Sequence, residues 1–471
     1  MTRRICFLAL LPILAFLAGC KPTCRPTIDV PPNGFIYIAN GHFMIGDSVW
    51  FPIMLNYKTD ICDDSVVPAR YYGDGTFDGH FSHIAQWGFN SVRVCLDMEL
   101  GAADTCRLFA SIDTLLASAC RNNLRVMLLI RPPFDKRQTE YTIHLMSHLA
   151  FDTTLWAYDF FNEPLYFDPV ADRSKTAAYR IVSDWRILRD TYAPRQLFTI
   201  GFAEPIEVFE WDPSILPVDF IEMHTYHPLR IASEMYWYGH YCGKPWMVGE
   251  TSLPADGDSV PYDWQSRYIL ESFQCAIDNG AIGFGWWEFQ DCLSGTNFEA
   301  WYSGLRNSQG LDKPASDLVK RLNSLKPQKA LRPVNYSNML GYHNLAIEGL
   351  VVDASSHAPI EGAVARGWND DWSVGINTFS DDAGKFYLVS NDRCIHFEIS
   401  APGYECIKFY RRPNYPHIDS LPQQRLEYQS IDYRHFLASP ESLLTFDSAA
   451  FPLPKDIANM GEIKLHRLNL R

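Results

Sequence analysis

The sequence predicts a (β/α)8 barrel followed by a small all-β sandwich, and three observations carry the prediction. Between residues 49 and 289, near-continuous apolar runs alternate with amphipathic helical stretches, the pattern of parallel strands walled in by helices. That periodicity stops near residue 326 in a basic, Pro-containing stretch, "KPQKALRPVNYSN". Beyond it come short alternating runs punctuated by Gly and Asp, which read as the strands of a sandwich. A chain of 471 residues, 47% apolar and 14% aromatic, has material for two or three domains. Its 41 basic against 55 acidic residues give a formal charge of −14. That balance argues against a nucleic-acid partner and offers no basic patch to anionic lipid, while neutral polymers such as glycans stay open.

Taken in order, the chain begins with Arg3 and Arg4 ahead of "ICFLALLPILAFL", a run too short and wrongly flanked for a membrane span. It closes on "LAGC", Leu17 to Cys20, which resembles the lipobox of bacterial lipoproteins. The resemblance implies removal of residues 1–19, lipid on the Cys20 thiol, and a bacterial cell-envelope location through that anchor, with either membrane face open. The alternative is an ordinary signal peptide with a chance cysteine. Residues 20–34 read as a tether. Of twelve cysteines, Cys6 leaves with the signal and Cys20 is lipidated. The rest are irregularly spaced without a C-x-x-C pair, which argues against zinc and leaves both disulfides and buried thiols open.

Residues 35–328 form the expected barrel. "GFIYIANGHFMIGDS" reads as a hairpin under it. The strands are expected at 49–57, 91–98, 125–133, 155–164, 197–203, 219–228, 245–252 and 282–289, with helical stretches between most of them. Eight such units suit a barrel better than a doubly wound sheet. No G-x-G-x-x-G or P-loop occurs, so no nucleotide cofactor is expected, and no other cofactor or metal. Residues 329–345 read as a linker and 346–471 as the sandwich.

In a barrel of this kind the C-terminal strand ends face the active site. "FFNEP" places Asn162 and Glu163 at the end of the fourth strand, and "GETS" places Glu250 at the end of the seventh. Two carboxylates facing each other about 5 Å apart suit retaining glycoside hydrolysis. "GFNSVRV" supplies Arg93 on strand two, "HTYHP" supplies His224 and Tyr226 on strand six, and "GWWEF" supplies Trp286 and Trp287 on strand eight. The constellation resembles the clan of retaining glycoside hydrolases with catalytic glutamates on strands four and seven, nearest its cellulase and mannanase family. The resemblance implies Glu163 as acid/base, Glu250 as nucleophile and Asn162 on the sugar 2-hydroxyl. It also implies Tyr226 holding Glu250, His224 near Glu163, and Trp287, or failing it Trp286, under the sugar ring. A carbohydrate substrate, with glycan-uptake proteins as neighbours, is the implied partner set.

Strand parity adds that Glu222, His224 and Tyr226 share a face, as do Asp159 and Glu163. Arg93 is then the natural counter-charge for Glu250 among several acids, with Glu222 and Asp159 read as structural ion-pair partners. Glu204 and Glu288 are further acids at strand ends. His144 and His148 sit i, i+4 on one helix with no third metal ligand, and "EMYWYGHY" (234–241) reads as helix packing or as outer sugar subsites. The family often carries a histidine near the end of strand three. Here Arg131 stands there, which would suit an acidic or unusually substituted sugar, or a tie to a neighbouring acid.

The second region, with Gly349, Val352, Asp353, Pro359, Gly362, Ala363, Val364, Asp382, Gly384, Phe386, Gly403 and Tyr404, resembles the carboxypeptidase regulatory-like domain. That module implies no chemistry of its own, and residues 413–455 would be an insertion in it. Two other functions fit the same residues. A non-catalytic glycan-binding lipoprotein would bind without releasing product, and a transglycosylase would hand the sugar to an acceptor.

Overall fold

A computed structural model describes residues 34–96, 105–169, 172, 174–293, 301–333, 345–368, 375–390, 396–408 and 456–470. The signal segment with Cys20, most of the linker, and the stretch 413–455 lie outside the described residues.

The chain opens with a small antiparallel sheet, β1 (Ile36–Ala39), β2 (His42–Ile45) and β3 (Ser48–Val49). The first barrel strand, β4 (Ile53–Cys62), pairs antiparallel with β5 (Ser65–Pro68) beyond the barrel rim. The other barrel strands are β6 (Ser91–Leu96), β7 (Arg125–Ile130), β8 (Leu155–Asn162), β9 (Leu197–Phe202), β10 (Ile221–His224), β11 (Trp246–Glu250) and β12 (Phe284–Trp286). Each pairs parallel with the next, and β12 pairs with β4, so the sheet closes. Helices lie between: α1 (Phe77–Trp87), α2 (Thr105–Arg121), α3 (Lys136–Leu149), α4 (Pro164–Phe167), α5 (Lys175–Tyr192), α6 (Ile231–Tyr241) and α7 (Tyr262–Asp278). Local chemistry marks several starts: the Thr76, Asp135 and Ser174 side chains each accept a backbone N–H of the first turn, and such caps supply partners for otherwise orphaned donors.

The strands are apolar on both faces because both faces are buried. On β6, Val92 and Val94 join the layer beneath the helices, while Arg93 between them points into the barrel. At the barrel bottom Met54, Met127, Trp156, Phe220 and Met247 pack against Ile36 and Phe43, so the opening sheet plugs that end as the sequence suggested. The barrel interior is therefore apolar below and charged above. Among the described residues no helix is long and apolar enough to cross a membrane. Cys62, Cys95, Cys120, Cys242, Cys275 and Cys406 are free thiols among the described residues.

Beyond the barrel, β13 (Leu345–Asp353), β14 (Val364–Trp368), β15 (Gly375–Phe379), β16 (Lys385–Ser390), β17 (His396–Ser400), β18 (Ile407–Lys408) and β19 (Asp456–Leu465) form two sheets, ordered β16-β13-β19 and β15-β14-β17-β18. Ala365, Ile376, Phe386, Leu388, Ile399 and Ile463 fill the space between them. This sandwich rests on the barrel. Val364 belongs to the barrel's own apolar cluster, and Lys175 Nζ donates to Asp212 Oδ2 (2.9 Å) and to the Ala401 carbonyl (3.0 Å). Trp237 Nε1 donates to Gly362 O (2.8 Å), and Tyr236 stacks on Phe379 at 6.1 Å. Residues 234–241 are thus packing residues, some of them for the second domain, rather than sugar subsites. His148 is also accounted for, by Asp113 at 2.9 Å and by stacking on Phe109.

Candidate active site

Arg93 is the centre of the site. Wholly buried on β6, its guanidinium donates to Glu250 Oε1 through Nη1, which also reaches Asn56 Oδ1 at 2.9 Å. Nε and Nη2 bond Asp159 Oδ2 at 3.0 and 2.6 Å, and Nη2 bonds Asn162 Oδ1 at 3.0 Å. Glu222 lies 3.2 Å from Nε. A planar fork with five donors is the side chain suited to so many acceptors at once. Asp159 is further held by the backbone N–H groups of Gly201 (3.1 Å) and Phe161 (3.2 Å). It and Glu222 play the structural ion-pair role expected of them.

Glu250 ends β11, and its second oxygen accepts from the Tyr226 hydroxyl. Tyr226 belongs to the loop after β10, because that strand ends at His224 with a register shift against β11. Burial by itself would raise the Glu250 pKa. His224, Arg93 and the Tyr226 hydrogen bond outweigh it and hold the carboxyl below the ordinary value. This is the charged form kept by charges and donors against desolvation.

Glu163 stands just past β8, with φ 47° and ψ 68° at the start of α4. The following Pro164 disfavours the right-handed helical region for it, and its N–H donates to Gly201 O at 2.7 Å. One carboxylate oxygen lies 3.0 Å from His224 Nδ1. His224 also faces Glu250 Oε2 at 3.7 Å and Glu222 Oε1 at 3.8 Å. Burial would lower its pKa, but Glu250 and the bonds to Glu163 and Glu222 lift it to about 10, so it is an imidazolium donating to Glu163.

Ligating atoms of Glu163, His224 and Glu250 all lie within 4.8 Å of one another. The glutamates therefore face each other at the separation of a double-displacement pair. Two cations, Arg93 and His224, face four carboxylates, and among these burial pushes the Asp159 carboxyl up to about 7. The same three side chains offer a metal-ligand set, but each is already engaged within this network by its hydrogen-bond partner.

Trp287 lies half-exposed after β12, its N–H bonded to Thr251 O at 3.0 Å, and a cis peptide joins it to Glu288. Trp286 is fully buried with Nε1 on Ser303 O at 3.2 Å. It is a core residue, whereas the neighbouring Trp287 keeps part of its surface exposed. Arg131 is half-buried just past β7. Glu204 is tied to Arg230 (2.9 Å) and Tyr166 (2.7 Å).

Two contributors escaped the sequence reading. Asn56 orients Arg93 and bonds the carbonyls of Gly249 (2.9 Å) and Trp286 (3.0 Å), tying strands one, two, seven and eight together. Lys58, two residues on, lies 4.7 Å above the Trp287 ring. The available signal was two polar residues at i, i+2 closing an apolar first strand.

No protein-family model and no curated protein matches the chain. Solved structures that align with it include an exo-β-1,4-mannosidase from an Opitutaceae bacterium, at 17% identity and TM-score 0.48 over 70% of this chain and 66% of that one. An endo-1,4-β-mannanase from Eisenia fetida aligns at 15% identity and TM-score 0.44, over 61% of this chain and 94% of that one. A β-mannanase from the blue mussel Mytilus edulis aligns at 14% identity and TM-score 0.41, over 63% and 99%.

Proposed function

We propose that the chain is a retaining β-glycoside hydrolase acting on an oligo- or polysaccharide by double displacement. One observation carries the reading: Glu163 and Glu250 face each other within 4.8 Å at the C-terminal mouth of the barrel. In the first step Glu250 attacks C1 of the sugar while Glu163 gives its proton to the departing glycosidic oxygen, so the C1–O bond breaks and a glycosyl-enzyme forms. In the second step Glu163 takes a proton from water, the water oxygen attacks C1, and the bond to Glu250 breaks. Arg93 and Tyr226 keep Glu250 ionised for attack. With its Oδ1 held by Arg93, the Asn162 side chain presents its amide N–H groups to the sugar 2-hydroxyl, a contact that tightens in the transition state. Trp287 supplies the apolar floor.

The reading includes a lipid anchor at Cys20, a bacterial cell-envelope location and a regulatory-like identity for the second domain, supported by the sequence motifs. Glu250→Ala and Glu163→Gln are each expected to lower kcat at least about a thousandfold on any β-glycoside the wild type cleaves. Retained full activity in either variant sinks the assignment.

A further inference from the structure

One group of polar side chains beside the catalytic pair has no task in the mechanism above. β4 runs past the barrel rim, turns into β5, and leads to a short turn, Arg70–Tyr72, that folds back towards the end of strand eight. There the Tyr71 hydroxyl donates to Glu288 Oε2 at 2.7 Å, and the Tyr71 carbonyl accepts from Gln290 Nε2 at 2.9 Å. The turn is thereby fixed as a wall behind Trp287. Glu288 is buried, and its other oxygen accepts no hydrogen bond from the described residues. The Lys58 ammonium lies over Trp287 with no hydrogen bond or ion pair to a described residue. Burial would lower its pKa, but Glu288 and other nearby groups lift it above the ordinary value, so it stays charged.

The Lys58 ammonium and the second Glu288 oxygen, neither of them hydrogen-bonded to a described residue, can each take a polar atom from elsewhere. A sugar on Trp287 supplies them. With C1 at the Glu163–Glu250 pair and the 2-hydroxyl at Asn162, the opposite edge of the ring is C4, turned towards the wall. A hydroxyl both donates and accepts, and Glu288 with Lys58 offers the complement of each. A 4-hydroxyl gripped there must be free, which means a chain end.

On the hydrolase reading given above, we propose that Lys58 and Glu288 form a subsite for the free 4-hydroxyl of a terminal β-linked hexopyranose, making the enzyme exo-acting. The test compares 4-nitrophenyl β-glucoside and β-mannoside with their 4-deoxy counterparts, using wild type, Lys58→Met, Glu288→Gln and Tyr71→Phe. In the wild type, removing the 4-hydroxyl is expected to lower kcat/KM by about tenfold to a hundredfold. In Lys58→Met the parent glycoside falls by a similar factor, while the 4-deoxy glycoside is cleaved within about twofold of wild type. Tyr71→Phe keeps the carboxylate and loses less. If buried Glu288→Gln fails to fold, Lys58→Met at the cleft surface still decides the matter. A reduced β-1,4-linked hexasaccharide is expected to yield the monosaccharide from its non-reducing end as first product. Equal losses on both substrates, or internal cleavage products first, overturn the subsite and leave the hydrolase reading standing. No turnover of any β-glycoside by the wild type overturns the hydrolase reading, and the subsite with it.

Discussion

The side chain on which the site turns is Arg93, because among the described residues it alone joins Asp159, Asn162, Glu222 and Glu250. Arg93→Met leaves buried carboxylates without their cation, and is expected to cost about 3–5 kcal/mol in denaturant unfolding as well as activity. The Tyr226 hydroxyl donates to Glu250. The acid limb of kcat/KM, where Glu250 gains a proton, is expected below the ordinary glutamate range of about 4.3. Tyr226→Phe removes one of the donors that lower it, so the limb should move to higher pH. An unmoved limb would count against Tyr226 as the group that tunes Glu250. His224 gives a stability signature of opposite sense. Its folded pKa is raised to about 10, above the unfolded value near 6.5. Its contribution is fully present below about pH 6.5 and lost as pH rises through 10. The difference in Tm between wild type and His224→Asn should shrink across that window. Most of these residues were legible in the sequence because a carboxylate, arginine or histidine closing an apolar strand has few uses besides chemistry or ion pairing. Lys58 was not, because the continuation of the first strand beyond Tyr57 reads as loop until its pairing with β5 is seen.

Among the elements, the strands were legible from their apolar runs, and their ends less so. β10 stops at His224, four residues before the apolar pattern does, because the register shift against β11 turns the chain into the loop that carries Tyr226. Two glycines show how tightly the charged upper layer is packed. A Cβ on Gly201 would lie 2.7 Å from the His224 ring and 3.4 Å from Arg93, and one on Gly249 would lie 2.2 Å from Glu222 Cγ. Gly201→Ala is therefore expected to cost about 1–3 kcal/mol through overpacking and to lower kcat by pushing His224 off Glu163. A Gly201→Ala variant with wild-type kcat and Tm would contradict this close packing. Nothing in "LFTIGFA" singles out that glycine, since the neighbour that needs the space comes from another strand.

At the scale of the molecule, the sequence divides the chain near residue 329, but not how the parts meet. The contact depends on carbonyls and on buried polar groups that have no pattern. Lys175 and Asp212 reach the sandwich through Ala401 O and the Gly403 N–H, the latter 2.8 Å from Asp212. Trp237 adds Gly362. With such buried ties, barrel and sandwich should unfold together in one calorimetric transition. Lys175→Met should lower stability by about 3 kcal/mol, since Asp212 would stay buried without its cation. Two separate transitions in the wild type, with the barrel's unchanged by Lys175→Met, would show that the ties are not energetically coupled.

The central claim, that Glu250 becomes covalently glycosylated opposite Glu163, is tested most directly by trapping. The full chain is incubated with 2-deoxy-2-fluoro-β-glucosyl and β-mannosyl fluorides and its peptides are mapped by mass spectrometry. The expected result is time-dependent inactivation with one fluoroglycosyl group on the peptide containing Glu250. A label on another carboxylate, or hydrolysis of β-glycosides that proceeds unlabelled and with inversion at C1, would contradict it.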